Sequence, residues 1–579
     1  MSVVSDSLPR AEAFQPSLRP AVSGRTVAIL VFLSYLAFSV CLQWIAGGFD
    51  AEFAGHPDEP SHYVTGLMVR DYVASGLPRS PMAFAENYYL HYPKVALGHW
   101  PPFFYLVEAA WMIPFGVSTA SVMVLMAVIT SLLGMTVFVV LRQSYGAWPA
   151  WAAGLLMLSL PSVQRTGQQL MGDQLVALLV FLATLAFARY TETESWKDSA
   201  LFGLLAAAAI MTKGTGLALA AVPPFALVLS RRWRLPARFS FWLPLLMVLV
   251  LCGPWYLFAP GAKGEATIPL GGVVSPAYRS AGSLLSITTL TGQLWGRLVG
   301  NTLLPLVALG AVVTIVAIRR SRPGSVPFLA AWSLILSTVL IRFVAPAFVF
   351  ETRYAIALVP AMFILLAAGV AWLMSRRILA GLSGPVRVLM IAVPLCVLGA
   401  LNLRALPRRV HLGYSEIASA ILSRPDLRNA VFLVSSDSRG EGALIAEMAM
   451  NENRPGHIIL RASKMLAYGG WGGRRQRLKM ETPGQVMDLL ASIPVGAIII
   501  DRGRRQVYGY DGILQMTLDA YPDRLQKILS YPPQGQQSAA GREIAVYKQL
   551  GVEGKKTGPI EVDLKSRIGR FVTNKKDSK

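Results

Sequence analysis

Long apolar runs separated by short polar loops make up the first two thirds of the chain. The first run, residues 26–45, is about as long as one bilayer crossing by a helix. Ten more runs follow before residue 404, and together they predict about eleven transmembrane helices. The later runs lie at 119–141, 147–161, 170–190, 199–212, 215–230, 239–259, 296–318, 326–345, 354–375 and 387–403.

Two further apolar segments are predicted to lie along the membrane surface instead of crossing it. Residues 101–116 begin with Pro101 and Pro102 and contain Glu108, and a crossing there would move every later loop to the other side. The segment 276–291 is interpreted in the same way.

Basic residues set the predicted orientation. Arg10, Arg19 and Arg25 precede the first run, so the positive-inside rule places the amino terminus, residues 1–24, in the cytoplasm. The predicted outer loops are then 48–118, 162–169, 212–214, 260–295, 346–353 and everything after about 404.

After residue 404 short apolar runs of about six residues alternate with helical patterns. VFLVSS (431–436), HIILR (457–461), GAIIID (496–501) and EIAVYK (543–548) read as strands. Helical patterns lie at 442–450, 483–492 and 511–527. This alternation predicts a small, largely parallel α/β domain over residues 406–550. Residues 551–579 are basic and polar, and they are predicted to be disordered.

The first turn of that domain, SSDSRGEG (435–442), allows two interpretations. It could cradle a phosphate at a helix amino terminus, or it could be an ordinary strand-to-helix turn. The glycine fingerprint of a dinucleotide site is absent.

Composition agrees with a polytopic membrane protein. Apolar residues make up 54% of the chain and charged residues only 15%, and the mean hydropathy is +0.48. The formal charge of +22 suits basic loops facing membrane lipids and an anionic, lipid-like substrate. Because the basic residues are scattered over short loops, nucleic acid is not a predicted partner.

Directly after the first run stands the octapeptide HPDEPSHY, residues 56–63, which carries the adjacent carboxylates Asp58 and Glu59. The simplest interpretation is a solvated loop whose acidic pair is incidental, or a cap for the helical pattern at 61–75. The spacing HxDExxH also suggests a metal, but a loop containing proline does not match the helical zinc pattern, so no protein-held metal is predicted.

Other polar residues fall on the same predicted face. Each has a modest explanation alone, as a snorkelling side chain or a helix cap. Together, two acidic positions and several basic ones on one membrane face suit a site for a lipid phosphate. These residues are Lys94, His99 and Trp100 before the paired prolines, Tyr105 after them, Asp173 in QQLMGDQ, Lys213 in MTKGTG, and Arg353 and Tyr354 in FETRY.

These motifs resemble those of the GT-C membrane glycosyltransferases, in the branch with protein O-mannosyltransferases, lipid A aminoarabinose transferases and Rgt-type lipopolysaccharide glycosyltransferases. The resemblance rests on PDEPSHY, HWPPFFYLVEA, the Asp173 segment, MTKGTGLALA and RYAIALVP. It covers roughly residues 25–405, the predicted catalytic module, and leaves the α/β domain unexplained. Relatives often carry a lysine before the paired prolines where this chain has HW, and Lys94 is the candidate replacement.

The resemblance implies an inverting glycosyltransferase of a bacterial inner membrane. Its donor would be a polyprenyl-phosphate sugar, with undecaprenyl or decaprenyl as the lipid, and its acceptor a hydroxyl of a lipid, glycan or protein on the outer face. Asp58 matches the acidic residue proposed as general base, and Glu59 would orient the acceptor or a basic partner.

The resemblance assigns the remaining candidates to substrate binding. Arg353 and Lys213, then Lys94, would stabilise the departing lipid phosphate, with Asp173 as the second acidic position and Tyr354 beside Arg353. The pocket wall would comprise His62, Tyr63, His99, Trp100 and Tyr105. Some relatives use a divalent cation and others do not, so that question stays open.

Three other functions remain possible on sequence grounds. A lipid-linked sugar flippase would also be polytopic and basic, but the chain lacks a visible internal repeat. A membrane-anchored binding protein would need far fewer helices than eleven. A different GT-C reaction, such as ligation of a preassembled glycan, is the nearest alternative.

Overall fold

The computed structural model describes residues 24–258, 284–319, 325–344, 351–376, 381, 383–409, 411–468, 477–502, 508–532, 542–552, 560–563 and 571–573. Its α-helices in chain order are α1 Gly24–Ile45, α2 Glu59–Ala74, α3 Pro81–His91, α4 Phe103–Phe115, α5 Thr119–Tyr145, α6 Ala147–Ser159, α7 Pro161–Gly167, α8 Asp173–Thr193, α9 Trp196–Thr212, α10 Val222–Ser230, α11 Phe239–Phe258, α12 Leu284–Val299, α13 Leu304–Arg319, α14 Val326–Val344, α15 Leu358–Met374, α16 Gly384–Arg404, α17 Tyr414–Leu422, α18 Ser438–Asn451, α19 Ala462–Met465, α20 Pro483–Ser492 and α21 Gly509–Ala520. Short 3₁₀ helices lie at Gly214–Ala221, Leu235–Ala237, Thr352–Ala355 and Pro425–Leu427.

Helices long and apolar enough to cross a bilayer identify an integral membrane protein. By length and composition, five described helices qualify: α1, α5, α8, α11 and α16. A sixth span results if Gly292–Val299 and Leu304–Ile318, which meet at 108°, form one broken crossing. The predicted number of about eleven is not confirmed, because several of the predicted runs form apolar helices of only 10–17 residues.

The two predicted surface segments differ in how far the structure describes them. Residues 101–116 form the 13-residue helix α4, which at about 1.5 Å per residue is too short for a hydrocarbon core of about 30 Å. Its position at the interface stays a prediction. For 276–291, only the part from Leu284 onward is described, as the first half of α12.

Close backbone contact joins α13 and α15. At Gly310, an added Cβ would overlap the carbonyl oxygen of Leu365, and at Gly369 it would overlap that of Leu306. Small residues permit such close approach between membrane helices, and van der Waals contact replaces the hydrophobic effect there. Since the obstructing atoms belong to backbone, no side-chain rotation can relieve the overlap.

We therefore expect Gly310→Ala to lower the melting temperature of the detergent-solubilised protein, because the two helices must separate to admit the methyl group. Gly399→Ala in α16 is the matched control, since nothing lies within 4 Å of the added carbon there. The control should melt at or slightly above the wild-type temperature, because alanine favours a helix over glycine. Equal melting of both variants would contradict the close packing.

The α/β domain predicted after residue 404 is present, but its sheet is mixed. Strands β1 Val431–Ser435, β2 Ile459–Arg461, β5 Val495–Arg502, β6 Leu525–Tyr531 and β7 Glu543–Gln549 form one sheet in the order β2-β1-β5-β7-β6. Strand β1 is parallel to β2 and β5, whereas β7 is antiparallel to β5 and β6. A second pair, β3 Ala467–Tyr468 and β4 Arg477–Leu478, is antiparallel.

The prediction of a helix at 511–527 missed β6. The helix ends at Ala520, two residues before Pro522, because proline disfavours the helical conformation of the residue before it. The next residues then pair with β7, with Leu525 buried. Within 551–579, the described segments β8 Glu561–Asp563 and β9 Phe571–Thr573 pair antiparallel, so the expected disorder does not hold for these two segments.

The α/β domain packs directly on the loop that carries HPDEPSHY. Helix α18 lies against α2, and a Cβ at Gly442 would come within 2.6 Å of the Pro60 ring and 2.9 Å of the Lys94 Cε atom. The α/β domain and the helical bundle are therefore in direct contact next to Asp58.

Candidate active site

Asp58 sits at the start of α2 but does not act as a helix cap. It occupies the N-cap position, yet its side chain accepts no capping hydrogen bond. Instead Oδ2 lies 3.6 Å from Nη2 of Arg353 and 3.4 Å from Nδ1 of His56. With 18% of its side chain exposed, this carboxylate is accessible and faces a cation.

Arg353 is held in place from several sides. It lies in the 3₁₀ turn Thr352–Ala355, where its Nη2 donates to the Tyr354 hydroxyl at 3.2 Å and its Nε lies 2.7 Å from Glu351 Oε2. Nη1 donates to the Met171 sulfur at 3.4 Å. Burial alone would lower the pKa of Arg353, but nearby acidic groups, Asp173 first, raise it above its usual range.

Lys213 and Asp173 form an ion pair beside the same tyrosine. Asp173 opens α8 and Lys213 follows the last residue of α9, so the two helix ends bring them together. Lys213 Nζ donates to Asp173 Oδ1 at 2.7 Å, and it lies 4.7 Å from the centre of the Tyr354 ring. The Arg353 guanidinium lies 5.0 Å from that centre. The tyrosine thus links two cations, and we call Asp58, Arg353, Tyr354, Lys213 and Asp173 the charge cluster.

Aromatic side chains stand next to the charge cluster. The His62 ring stacks on Trp100 with centroids 4.3 Å apart, and its Nδ1 is 3.0 Å from the Tyr105 hydroxyl. His99 meets the edge of Trp100 at 4.8 Å. Burial lowers the pKa of His62 to about 3, and the charges of the cluster have smaller effects that oppose one another. The imidazole is therefore neutral at physiological pH.

Two predicted substrate-binding residues, Tyr63 and Lys94, belong neither to the charge cluster nor to the aromatic group beside it. Tyr63 is fully buried and donates to the Val117 carbonyl at 2.7 Å. Lys94 donates to the Ser438 carbonyl at 2.8 Å, and burial holds its pKa well below its usual range. Lys94 also lies 3.5 Å from the Pro57 carbonyl, next to Asp58.

Glu59 has an environment opposite to that of its neighbour. Its side chain is fully buried, and Oε1 accepts from Arg409 at 2.6 Å and from the backbone N–H of Leu170 at 3.1 Å. Oε2 accepts from the N–H of Gly55 at 2.9 Å. Arg409, in the linker to the α/β domain, also donates to the Gln168 carbonyl at 2.9 Å. The basic partner expected for Glu59 is thus a linker residue.

Sequence reasoning did not identify Arg409, Glu351 or Met171. Glu351 was visible in FETRY, two residues before Arg353. Arg409 follows the last apolar run as part of PRR, which looks like any basic membrane flank. No local pattern connects it to a carboxylate 350 residues earlier.

The turn SSDSRGEG behaves as an ordinary capped turn. The Asp437 carboxylate accepts hydrogen bonds from the backbone N–H groups of Arg439 at 3.0 Å and Gly440 at 2.9 Å. A phosphate bound here would need these same backbone N–H groups as donors. The Asp437 side chain already occupies them and supplies the negative charge at this helix terminus.

Within the described ranges, one group of side chains has the proximity of metal ligands: Glu52, His411 and Glu416. Glu52 already accepts from the backbone N–H groups of residues 412–414 at 2.6–2.7 Å. His411 contacts Glu416 at 2.8 Å and the Asp50 carbonyl at 3.1 Å. These donor atoms are committed to protein contacts, so the group does not fit a divalent cation.

We expect Arg409→Met to destabilise the protein by about 3–5 kcal/mol, because it leaves Glu59 charged and buried without its cation. The double variant Glu59→Gln with Arg409→Met should recover part of that loss. The free energy of unfolding in mixed micelles measures both effects, with the exposed Arg428→Met as control. If the double variant lost as much unfolding free energy as the two single variants together, the coupling between Glu59 and Arg409 would be rejected.

Part of the chain matches a known protein family. Residues 99–258 match the family model described as dolichyl-phosphate-mannose-protein mannosyltransferase. None of the curated protein sequences matches the chain significantly.

The fold is shared with solved membrane proteins of low sequence identity. ArnT from Cupriavidus metallidurans, in the apo state, is 15% identical, with a TM-score of 0.55 over 92% of this chain and 100% of that chain. The same enzyme bound to undecaprenyl phosphate gives 0.54 at the same identity and coverage. The oligosaccharyltransferase of Archaeoglobus fulgidus, in the apo form, is 14% identical and gives 0.50 over 82% of this chain and 69% of that chain.

A match over 92% of the chain cannot be confined to residues 1–405, so the likeness to ArnT extends into the α/β domain that the sequence motifs left unexplained. The family model covers the segment from His99 through Asp173 and Lys213. Together they confirm the predicted resemblance: residues 99–258 are similar to the protein O-mannosyltransferase family, and the chain has the fold of ArnT.

Proposed function

We propose that this protein is an inverting glycosyltransferase of the bacterial inner membrane. It transfers a sugar from a polyprenyl-phosphate donor to an acceptor hydroxyl on the outer face. The observation that carries the proposal is the charge cluster, where the accessible carboxylate of Asp58 lies 3.6 Å from Arg353, which shares Tyr354 with Lys213. A base and two fixed cations are the groups that this displacement requires.

In the proposed reaction the acceptor oxygen attacks the anomeric carbon while Asp58 takes the hydroxyl proton. The new carbon–oxygen bond forms as the bond to the phosphate oxygen breaks, and the polyprenyl phosphate leaves with the electron pair. A single displacement inverts the anomeric carbon. A positioned base contributes about 10² to 10⁴ in rate.

Arg353 and Lys213 would receive the growing negative charge on the departing phosphate. Both are held by neighbours before substrate arrives, Arg353 by Glu351 and Lys213 by Asp173. Preorganised cations in a partly dry site stabilise charge without reorganisation, which is why they act strongly in a transition state. Asp173 then acts through Lys213, as a positioning residue.

The aromatic wall suits the sugar. Trp100 stacks on His62, and Tyr105 contacts the same ring, so the wall combines flat apolar faces with hydroxyl and imidazole hydrogen-bonding groups. Because His62 is neutral, one ring nitrogen donates a hydrogen bond and the other accepts one.

The relatives support a lipid-phosphate donor. The ArnT structure with bound undecaprenyl phosphate has the same fold, and the matching family model is described by a dolichyl-phosphate sugar. The proposed steps use side chains of this chain.

We expect Asp58→Asn to reduce sugar transfer by at least about 10²-fold, because the amide cannot accept the hydroxyl proton. The rate of transfer is measured with the purified protein in detergent, as the release of polyprenyl phosphate from a polyprenyl-phosphate sugar. This assay also tests the flippase alternative, since micelles have no two sides to transport between.

The matched control is Asp50→Asn, which alters an exposed carboxylate of the same loop. It should keep wild-type activity, and Asp58→Asn should keep the thermal protection that the donor gives. Full activity of Asp58→Asn would remove Asp58 as the base.

We expect Arg353→Gln to reduce turnover by about 10²- to 10³-fold and to weaken donor binding, since a cation facing the leaving phosphate is lost. Arg353→Lys should recover part of the turnover, because the charge returns without the planar fork. Turnover and donor binding are both measured by steady-state kinetics in which the donor concentration is varied. The exposed Arg79→Gln in the first outer loop is the control, and unchanged kinetics in Arg353→Gln would reject the role.

A further inference from the structure

A polar cavity lies between the bundle and the α/β domain. Its volume is about 310 Å³, and its walls come from the loop before Asp58, from α7, from the linker and from the first turn of α18. Five of its lining residues are arginines: Arg165, Arg408, Arg409, Arg439 and Arg542. We call it the arginine pocket.

Two of the five arginines are neutralised within the protein. Arg542 forms two hydrogen bonds with the Asp501 carboxylate, at 2.9 and 3.1 Å, and Arg409 pairs with Glu59. Asp437, the other acidic residue of the wall, is bonded to the backbone of α18.

The other three arginines lack such a partner. In the described part of the chain, no carboxylate lies within 4.0 Å of Arg165, Arg408 or Arg439, and all three are exposed. Three like charges around one small cavity repel each other, and an anion bound among them would be stabilised by charge-assisted hydrogen bonds. The pocket is therefore complementary to a phosphate or a carboxylate.

The arginine pocket opens close to the proposed base. Gly55, a wall residue, precedes Asp58 by three positions, so their Cα atoms are at most about 11 Å apart. His56 stands between them: its Nδ1 lies 3.4 Å from Asp58. Burial lowers the pKa of His56, and the charges of Arg353 and, more weakly, Arg439 act in the same direction, so Arg439 is within electrostatic reach.

The chemistry of the walls distinguishes between possible anions. The cavity is lined by charged, amide and small residues, with Pro407 and Leu412 as its larger apolar members, so it offers no groove for a lipid chain. The donor phosphate has its own cations at Arg353 and Lys213. A volume of about 310 Å³ is at the lower end for small-molecule sites, enough for one charged, sugar-sized group.

We propose that the arginine pocket binds an anionic group, a phosphate or a carboxylate, that the acceptor carries apart from the hydroxyl that reacts at Asp58. The inference rests on the proposed transferase function and adds the class of acceptor to it. Arg165 belongs to the bundle, Arg408 to the linker and Arg439 to the α/β domain, so the pocket forms only where the three meet. The α/β domain thereby selects the acceptor.

Binding is tested with inorganic pyrophosphate as the probe, at constant ionic strength and with undecaprenyl phosphate saturating the donor site. Pyrophosphate should raise the melting temperature of the wild type but not of the triple variant Arg165→Gln, Arg408→Gln, Arg439→Gln. The control variant Arg79→Gln, Arg428→Gln, Arg524→Gln removes the same charge from exposed positions outside the pocket and should respond like the wild type. An equal response of all three proteins, or none in the wild type, would overturn the proposal.

Transfer is tested with hydroxyl acceptors offered before and after phosphatase treatment. The triple variant should raise the KM for the phosphorylated acceptor at least tenfold while the donor KM stays unchanged, and the wild type should prefer the phosphorylated form. Equal use of both forms by the wild type, together with indifference to carboxylate-bearing acceptors, counts against the proposal.

Two further outcomes separate the remaining explanations. If nanodiscs containing phosphatidylglycerol protect the wild type but not the triple variant, and the acceptor KM does not change, the pocket holds a membrane lipid and the acceptor proposal fails. If a polyprenyl-phosphate sugar neither protects the wild type nor releases polyprenyl phosphate, the proposed function itself fails, whatever pyrophosphate does.

Discussion

The buried pair of Glu59 and Arg409 is the constraint on which the site depends. Glu59 is completely enclosed and shares three donors, one of which comes from the linker to the α/β domain. A buried ion pair stabilises a protein little more than an apolar pair would. Breaking it, however, leaves a buried charge without a partner, so the loop and the linker are held together. Asp58, the next residue, stays 18% exposed and lies 3.6 Å from Arg353. Two adjacent carboxylates thus have different tasks because their surroundings differ.

The proximity of the charged residues of the cluster could be predicted from the sequence. Asp58, Asp173, Lys213 and Arg353 each stand where an apolar run begins or ends, and counting the runs assigns all four to one side. The structure brings these four into contact range through Tyr354. Composition and run length also sufficed for the membrane bundle and the α/β domain, because burial in lipid and strand-helix alternation leave strong periodic signals.

Partners and exact element lengths could not be predicted. A run of apolar residues shows that a segment is buried, but α6 and α15 are apolar without the length of a full crossing, so run counting alone does not fix the number of spans. The position of β6 depends on pairing with β7, a contact that its own sequence does not encode. In the same way Tyr63 and Lys94 looked like pocket residues, because sequence placement does not tell in which direction a side chain points from α2 or from the loop behind it.

The distances around Arg353 bear on the order of events in the proposed reaction. A guanidinium beside a carboxylate stabilises the charged form and so weakens the carboxylate as a base. Before the donor binds, Arg353 faces Asp58 at 3.6 Å and Glu351 at 2.7 Å. A lipid phosphate is a stronger, bidentate partner for that guanidinium, and it would draw Arg353 away from Asp58. Asp58 would then gain basicity only once the donor is in place, which limits proton abstraction from the acceptor to complexes that also contain the sugar. The Arg353–Asp58 separation of 3.6 Å is longer than a charged hydrogen bond. Little interaction energy would therefore be lost when the phosphate replaces Asp58 as the partner of Arg353.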